Sequence, residues 1–408
     1  MTTQAETSFN GLRNAAYHRS EEIGLPNKKA EAWRYVDVAP LQADLADAQE
    51  GKGGVVMPVG RSSEPGMVIT NGCWDPSASP DLPKGVSIDS VAGDSVSGHP
   101  LVSRWLNQLP DINDIGEAWS MSDMRSGLSL SIDRPVERPL IILNLATDAS
   151  SAWRSLIHLG PGASATILLI HLVAPKSRSC VSIEAELEAG SRLTIDEVEF
   201  SAHNQQPMGQ LLVNKDLRVQ EDAELTWNCA SRGGMLVRHR WNIDLLGAGA
   251  AAHCSGGCMV AGATQAHHHL RMHHRVADTN SSQLFKQVLD NGARCSFDGL
   301  VHIHQGADGS NAQQLCRSLI MDDDSFMGGR PQLEVEADEV EASHGAAISR
   351  PQVDELLYLR SRGIDAEAAS QLLSESFLGE VARGFSFPAS RALAQQQLAR
   401  TLVQEPAP

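Results

Sequence analysis

The stretch GASATILLIHLVAPKSRSCVSIEAELEAGS (residues 162–191) holds two strand-like runs between two small-residue corners. The runs ATILLIHLV and CVSIEAELE have the length, the aliphatic content and the partial alternation that are typical of β-strands. The corners are Gly162-Ala163 and Gly190-Ser191. Because glycine adopts positive φ at little cost, a chain can turn sharply at such a dipeptide. The stretch therefore predicts a repeating unit of strands and a corner.

Similar corners recur along the chain at intervals of 28, 32, 27, 43 and 32 residues. They are Gly162-Ala163, Gly190-Ser191, Asp222-Ala223, Gly249-Ala250, Gly292-Ala293 and Asp324-Ser325. A period of this size is typical of stacked arrays in which each unit buries its faces against its neighbours. The pattern favours a mainly β protein with a β-helix or β-solenoid core. A β-sandwich is the alternative, but it does not predict a repeated corner.

Composition divides the chain into three predicted regions. Residues 1–125 mix helical patterns with loops, and HPLVSRWLNQL (99–109) reads as an amphipathic helix. Residues 126–348 form the predicted β-helix core. Residues 349–408 return to helical periodicity, with Gly363 placed to end one helix and Asp365 placed to cap the next. This helical hairpin is expected either to cover the open end of the solenoid or to dock a partner.

The charge of the chain limits its partners. The formal net charge is -17 and the sequence pI is about 5.3, so nucleic acid and anionic lipid surfaces would repel it. The first twenty residues lack the apolar region of a secretory signal, and the longest apolar run is about half of what a membrane span needs. We therefore expect a cytoplasmic protein whose seven scattered cysteines are reduced thiols.

The segment HHHLRMHH (267–274) raises the question of a metal site. As a strand, it places His268, Leu270, Met272 and His274 on an inward face and His267, His269, Arg271 and His273 on the other. One hypothesis is a stand-alone β-helical metal-binding enzyme that uses His267, His269, His302 and His304. The cation Arg271 argues against a metal between its neighbours. A buried, hydrogen-bonded row of histidines is the preferred interpretation.

Motifs for other chemistry are weak or missing in the sequence. The pair Cys254 and Cys258 lacks the second pair of a typical zinc site. No phosphate-binding loop and no Gly-x-Ser-x-Gly nucleophile motif occurs. The segment EVEADEVEASHGAAISRP (334–351) has several acidic residues before His344. The pair His344-Gly345 is expected to end the last strand. This histidine is interpreted either as an exposed ligand or proton carrier or as an ordinary turn residue.

Three segments resemble the SufB/SufD family of iron–sulfur cluster assembly scaffolds. The C-terminal segment PQLEVEADEVEASHGAAISRPQVDELLYLRSRGIDAEAASQLLSESFLGEV (331–381) is the most specific match. FKQVLDNGARCSFDGLVHIHQGADGSNAQQ (285–314) and KKAEAWRYVDVAPL (28–41) resemble two further family motifs. The Trp-Arg-Tyr motif and the Ser-His-Gly triplet are similar to the SufD branch, whereas SufB-type chains carry Cys-Glu-His at the latter place.

The resemblance implies a right-handed parallel β-helix flanked by helical regions and a non-catalytic scaffold role. It implies pairing with SufB through the β-helix, two copies of the SufC ATPase, and a transient iron–sulfur cluster built at the SufB interface. His344 matches a SufD histidine implicated there, as a metal ligand or assembly residue. A desulfurase system would supply sulfur, a flavin can bind the complex, and the isolated chain would hold no stable cofactor but can form a homodimer. SufC would dock at the residues Tyr358, Leu359, Arg360, Arg362, Gly363 and Ile364.

The chain departs from the family pattern at two places. Ala342 stands where many SufD chains have a cysteine two residues before the histidine, so SufB would have to supply the sulfur ligands. The usual basic residue before the last strands is replaced, and Arg330 is the substitute that the sequence offers. Ala342 also keeps open a third hypothesis, in which the chain is a paralogue that has lost assembly function. The family carries histidines at the places of His269 and His274, which favours a structural role for HHHLRMHH.

Overall fold

The computed structural model describes residues 8–27, 29–47, 66–78, 82–92, 99–202 and 206–399. Most of these residues belong to β-strands. The strands are β1 Gly66–Thr70, β2 Cys73–Asp75, β3 Val86–Val91, β4 Met124–Ile132, β5 Leu140–Ala146, β6 Ser150–Leu159, β7 Ser164–Val173, β8 Arg178–Leu187, β9 Arg192–Ser201, β10 Met208–Val219, β11 Glu224–Ser231, β12 Gly234–Leu245, β13 Ala251–Ala261, β14 Gln265–His274, β15 Asn280–Asp290, β16 Arg294–Ile303, β17 Asn311–Ile320, β18 Phe326–Val335 and β19 Glu341–Ser349.

Successive strands alternate between two sheets. Sheet A contains β3, β4 and the even-numbered strands through β18, and sheet B contains β1, β2 and the odd-numbered strands from β5 to β19. Each strand from β4 onward pairs in parallel with the strand two places along the chain, whereas β3 and β2 pair antiparallel at the start. The described strands form a parallel β-solenoid of about eight turns. This confirms the predicted solenoid and excludes the sandwich.

The corners explain the irregular interval of 43 residues. Positive φ recurs on one edge of the solenoid at Gly162, Gly190, Asp222, Gly249, Asp278 and Gly309. Each coil donates a backbone hydrogen bond to the next coil at this edge, as from Asp222 N to Ala248 O at 2.9 Å and from Asp278 N to Asp308 O at 2.9 Å. Gly292 and Asp324 lie instead on the opposite edge, between β15 and β16 and between β17 and β18. The sequence repeat was therefore assigned wrongly after Gly249, because Asp278-Thr279 does not resemble the other corners.

Six α-helices occur in the described parts of the chain. They are α1 Phe9–Ile23, α2 Pro100–Gln108, α3 Ile115–Ser122, α4 Val353–Ser361, α5 Ala366–Gly384 and α6 Pro388–Leu398. The predicted helix at 99–109 is α2, which buries Leu101 and Trp105. Asp365 caps α5 through its side chain, as predicted, and Gly363 takes a φ of 84° after α4.

The helices cover the outer faces of the two sheets. The first three pack on sheet A at the early coils, around Cys180, Leu212 and Leu236. Helices α5 and α6 pack on sheet B, around Val198, Ala230 and Met259. The C-terminal helices are thus three rather than a hairpin, and they lie on the side of the solenoid. The interpretation that they cover its open end is wrong.

The Trp-Arg-Tyr segment crosses the outer face of sheet A toward the last coil. Trp33 is buried, and the Arg238 guanidinium lies 4.0 Å from its ring centroid. Tyr35 lies against Gly328 of β18, where a side chain on Gly328 would collide with the ring. Arg330 pairs with Glu31 at 2.5 Å, so this residue joins the segment to β18. Residue 28, the first of the motif, lies outside the described residues.

The domain boundaries inferred at residues 125 and 348 stay predictions. Within the described ranges, no helix combines the length and the hydropathy that crossing a membrane requires. All seven cysteines of the sequence are free thiols, and all except Cys73 are buried. Cys229, Cys295 and Cys316 lie in the core, as predicted.

Candidate functional site at the open end of the solenoid

His344 lies in the middle of the last strand. The strand β19 runs through the pair His344-Gly345 to Ser349, so the prediction that this pair ends the strand is wrong. The acidic residues that precede His344 in the sequence do not surround it in the structure. Glu334 and Glu336 lie beside His302 on the outer side of sheet A, and Glu341 accepts a hydrogen bond from Asn311 at 3.0 Å.

Strand register decides which way His344 faces. His344 is paired with Gln314 of β17, and Gln314 is paired with Gln283 of β15. Both glutamines are buried between the sheets, where Gln314 Nε2 donates to Gln283 Oε1 at 2.7 Å. Residues paired in parallel strands face the same side. His344 therefore continues this interior column, and it is exposed because β19 belongs to the terminal coil.

No partner for the His344 side chain occurs within the described chain. Its imidazole makes no hydrogen bond and no ion pair there. Ala342 lies two residues before His344, and its methyl group packs partly against the core. The chain thus presents one nitrogen ligand and no thiol at this position on β19.

The terminal coil presents an apolar mouth around His344. Register with the preceding coil places Met327, Gly329, Pro331, Leu333 and Val335 of β18 on the interior side. Ala342, Ala346 and Ile348 of β19 face the same space. Val335 is 42% exposed and Ile348 is 48% exposed. Within the described residues, β18 and β19 pair with a strand on one side only, so their outer edges offer free backbone groups.

Helix α4 is a second exposed surface. None of its residues is buried, and Tyr358 is 60% exposed although it is aromatic. Leu357 and Val353 are also exposed, and the Arg362 guanidinium lies 5.3 Å from the Tyr358 ring centroid. In the part of the chain that the structure describes, α4 packs mainly against α5. The predicted docking residues therefore lie on an accessible surface, and their role as a docking site stays a prediction.

The faces predicted for HHHLRMHH are confirmed. His268, Leu270, Met272 and His274 are buried on the interior side of β14. His274 bonds to Thr279 and Ser281 at 2.8 Å each, and His267 bonds to Ser296 at 2.8 Å on the outer side. Burial holds the pKa of His267 and of His268 well below its usual range, so both rings are neutral. Most of this segment is a structural row of histidines.

The ligand set of the metalloenzyme hypothesis does not converge. Strand register pairs His267 with Ser296 and His269 with Asp298, six and four residues before His302. At about 3.3 Å per residue, these separations amount to roughly 20 and 13 Å along the strand. One ion cannot join all four histidines, so this hypothesis is wrong about its ligands. His273, which the hypothesis did not use, is the residue paired with His302.

The sequence interpretation missed a buried charge cluster inside the solenoid. Lys215 Nζ lies 2.5 Å from Glu197 Oε2 and 2.9 Å from His239 Nδ1, and all three side chains are completely buried. His239 also bonds to Glu199, which accepts a hydrogen bond from Ser231. The sequence did contain an indication of this cluster. Glu197 and Glu199 follow the inward Leu193 and Ile195 of β9 at intervals of two residues, so their side chains are expected to face the interior.

The two carboxyls of this cluster differ in pKa. Burial raises the pKa of Glu197, but the charge of Lys215, with His239 and His171, outweighs burial and holds that pKa well below its usual range. Burial and then the charge of Glu197 raise the pKa of Glu199 to about 7. The cluster is therefore built around one ion pair, Lys215 with Glu197, which lies between two neighbouring strands of the central coils.

Comparison with known proteins agrees with this architecture. The family model described as SUF system FeS cluster assembly, SufBD core domain, matches residues 142–377, more than half of the chain. The chain is 24% identical to the iron-sulfur cluster assembly protein SufD of Escherichia coli (strain K12) over 389 residues, which cover 92% of this chain and 88% of that protein.

Two further relatives extend the comparison. An iron-sulfur cluster assembly SufBD family protein of Synechocystis is 25% identical over 88% of this chain and 83% of its own length. The chloroplastic protein ABCI7 of Arabidopsis thaliana is 34% identical over 41% of this chain and 36% of its own length. Together with the parallel solenoid and the long match to the family model, these similarities show that the chain belongs to the SufB/SufD family of iron–sulfur cluster assembly proteins.

Proposed function

We propose that this chain is the SufD-type scaffold subunit of a SufBCD complex and has no catalytic activity of its own. It pairs with a SufB-like chain through the open end of the solenoid, and an iron–sulfur cluster is built transiently at that interface. The cluster is cargo and leaves for recipient proteins. ATP hydrolysis belongs to a SufC-like partner. The complex works in the cytoplasm, where the seven cysteines remain thiols.

The observation that carries the proposal is the apolar mouth of the terminal coil with His344 in it. Val335 and Ile348 expose aliphatic surface next to free strand edges, and burial of such surface drives association. A SufB-like solenoid has the same cross-section by family membership, so its terminal coil is the partner that fits. A second copy of this chain would use the same surface when the SufB-like chain is missing.

His344 supplies a nitrogen ligand, or a proton carrier, to the cluster as it forms at this interface. Neutral imidazole binds iron, and a partner lying over the mouth would exclude water from the ring. Ala342 offers no thiol, so the sulfur ligands come from the SufB-like chain. The division of ligands between two chains fits a cluster that is assembled and then released.

The substitution His344→Ala is expected to leave the complex intact and to lower its cluster content about tenfold or more, because one ligand is lost. The measurement is iron and acid-labile sulfide per complex after reconstitution with the SufB-like and SufC-like partners. Ser343→Ala is the matched control, since Ser343 lies next to His344 on the opposite face of β19. If the His344→Ala complex builds clusters at the wild-type rate, His344 is an ordinary strand residue.

Helix α4 and the turn after it dock the SufC-like ATPase in this proposal. The docking residues are Tyr358, Leu359, Arg360, Arg362, Gly363 and Ile364. An exposed aromatic residue beside basic side chains is typical of the residues that dominate protein interfaces. Because none of the residues of α4 is buried within the described chain, its outer side is open to a partner.

Replacing Tyr358 by alanine is expected to weaken SufC-like binding about 30-fold, which corresponds to about 2 kcal/mol for an aromatic interface residue. The binding of the SufB-like chain should not change, because the mouth of the solenoid is untouched. Surface-immobilised binding of each partner separates the two effects. Glu355→Ala on the same helix is the control, and equal SufC-like affinity for both variants would contradict the docking assignment.

A further inference from the structure

Three histidines converge on the outer side of sheet A, close to the open end. His273 is the next-to-last residue of β14, His302 lies near the end of β16, and His304 follows β16 directly. One ring nitrogen from each lies within 4.8 Å of the others. His273 Nδ1 and His304 Nε2 are 3.2 Å apart, and the rings of His302 and His304 stack with centroids 3.7 Å apart. The three side chains are partly exposed, so an ion in solution can reach them.

His273 Nδ1 and His304 Nε2 are at hydrogen-bonding distance of each other, but one ring nitrogen of the cluster has no hydrogen bond. His302 Nε2 is buried and has no aligned hydrogen bond in the described structure, although Glu336 Oε1 lies 3.2 Å away. His302 Nδ1 lies 3.9 Å from Glu334 Oε2, beyond hydrogen-bonding distance. A buried ring nitrogen without a partner loses the hydration that it had in the unfolded chain. A bound cation would provide the missing partner and hold the carboxylate of Glu336 at the same time.

The surrounding charges favour a cation. Glu334 and Glu336 lie beside His302, and Asp244 lies near His273. Arg275 is the basic side chain close to the cluster, and its Nε donates to Asp244 Oδ1 at 2.7 Å. Its charge is therefore largely neutralised by Asp244, which leaves two carboxylates for the cluster.

We propose that His273, His302, His304 and Glu336 bind one divalent transition-metal ion of the zinc class. In a tetrahedral site with zinc–nitrogen bonds of about 2.0–2.1 Å, ligand nitrogens are roughly 3.4 Å apart. The 3.2 Å separation of His273 and His304 is close to that value, and side-chain rotations bring in the remaining ligands. Imidazole and carboxylate ligands suit Zn²⁺ and its first-row neighbours better than Mg²⁺ or Ca²⁺.

The ion would join three successive coils. His273 belongs to β14, His302 to β16, and Glu336 follows β18 directly. Strand β18 carries the free edge of sheet A, so the ion would fix the terminal coil to the two coils before it. The site is separate from His344, which lies on β19 in sheet B and faces the interior. The inference is therefore independent of the proposed cluster assembly function.

The test is a calorimetric titration of the purified full-length chain with Zn²⁺, and a parallel titration with Co²⁺ followed by visible absorption. One ion per chain is expected, with the d–d bands of a nitrogen and oxygen site. The substitutions His304→Gln and His273→Ala are expected to weaken binding at least about 100-fold, since loss of a ligand exceeds the 10–100-fold effect of an outer partner. Glu336→Gln is expected to weaken it about tenfold.

His158→Ala is the matched control. His158 Nε2 lies 3.5 Å from Glu188 Oε1 on the same sheet, but no second histidine joins it within the described residues. Zn²⁺ should also slow amide hydrogen exchange in β18 of the wild type and not in His304→Gln. This comparison detects the bound ion even where a variant is less stable.

The proposal is overturned if no ion binds stoichiometrically, or if His304→Gln and His273→Ala bind as tightly as His158→Ala. A thiolate charge-transfer band in the Co²⁺ spectrum would place the ion at Cys73 and overturn it as well.

Discussion

Replacing Lys215 by methionine is expected to lower the free energy of unfolding by about 3–5 kcal/mol. The Lys215 side chain is completely buried, its Nζ lies 2.5 Å from Glu197 Oε2, and it lies 3.5 Å from the Trp241 ring centroid. Methionine fills a similar volume but leaves the Glu197 carboxylate without its cation in the interior. The measurement is the midpoint of urea unfolding, followed by circular dichroism.

Two further variants separate charge from packing. In the double variant Lys215→Met with Glu197→Leu, the buried carboxylate is removed together with its cation, so part of the lost stability should return. The recovery should be incomplete, because Trp227 Nε1 and His171 lose Glu197 as their hydrogen-bond partner. Lys84→Met removes an exposed lysine and should leave the midpoint unchanged within about 0.5 kcal/mol. A Lys215→Met chain that unfolds at the same urea concentration as Lys84→Met would show that the buried pair contributes nothing to the stability of the solenoid.

The second large effect is expected from Ile348→Asp at the mouth of the terminal coil. We expect this change to weaken binding of the SufB-like chain at least about 100-fold, because a carboxylate would be desolvated in an apolar interface. The fold should be unaffected, since Ile348 is 48% exposed in the isolated chain. Its Cδ1 lies 3.7 Å from the point where Gly329 would carry a Cβ, so it faces across the mouth toward β18.

The control for this prediction is Ala347→Asp, which adds the same charge one residue earlier on the same strand. Ala347 is exposed and faces away from the mouth, because it is paired with the outward Arg317. Binding constants for the SufB-like chain, measured at one salt concentration, compare the two variants. If Ile348→Asp binds as tightly as Ala347→Asp, the partner does not lie on the mouth of the solenoid.

Much of the fold could be predicted because its rules are local. Alternation within HHHLRMHH assigned each side chain to the correct face, and small corner dipeptides revealed the repeat between Gly162 and Gly249. The same logic failed at Asp278, where an aspartate takes positive φ and is followed by threonine rather than by alanine or serine. Local pattern also failed at His344-Gly345, because a glycine that faces outward in a strand looks like a strand end in the sequence.

The sites were harder to predict because their members come from different coils. Glu197 and Lys215 meet across the interior from sheets B and A, and only the register of the coils brings their charges together. His273, His302 and Glu336 are about one coil apart in sequence. A rule for ligands two residues apart on a single strand therefore grouped His302 and His304 with His267 and His269, and it missed His273. The sequence left His344 as either a ligand or a turn residue and the family motif favoured the ligand, whereas its position at an apolar mouth required the structure.

The most direct test of the scaffold proposal is co-purification of the tagged, full-length chain with the SufB-like and SufC-like proteins of its host. Static light scattering and quantitative amino-acid analysis would give the stoichiometry, and the ATPase rate would be measured on the same sample. The proposal predicts one SufB-like chain, two SufC-like chains and one copy of this chain, with ATP hydrolysis that depends on the SufC-like subunit. A chain that purifies alone or only with itself in the presence of both partners would contradict it.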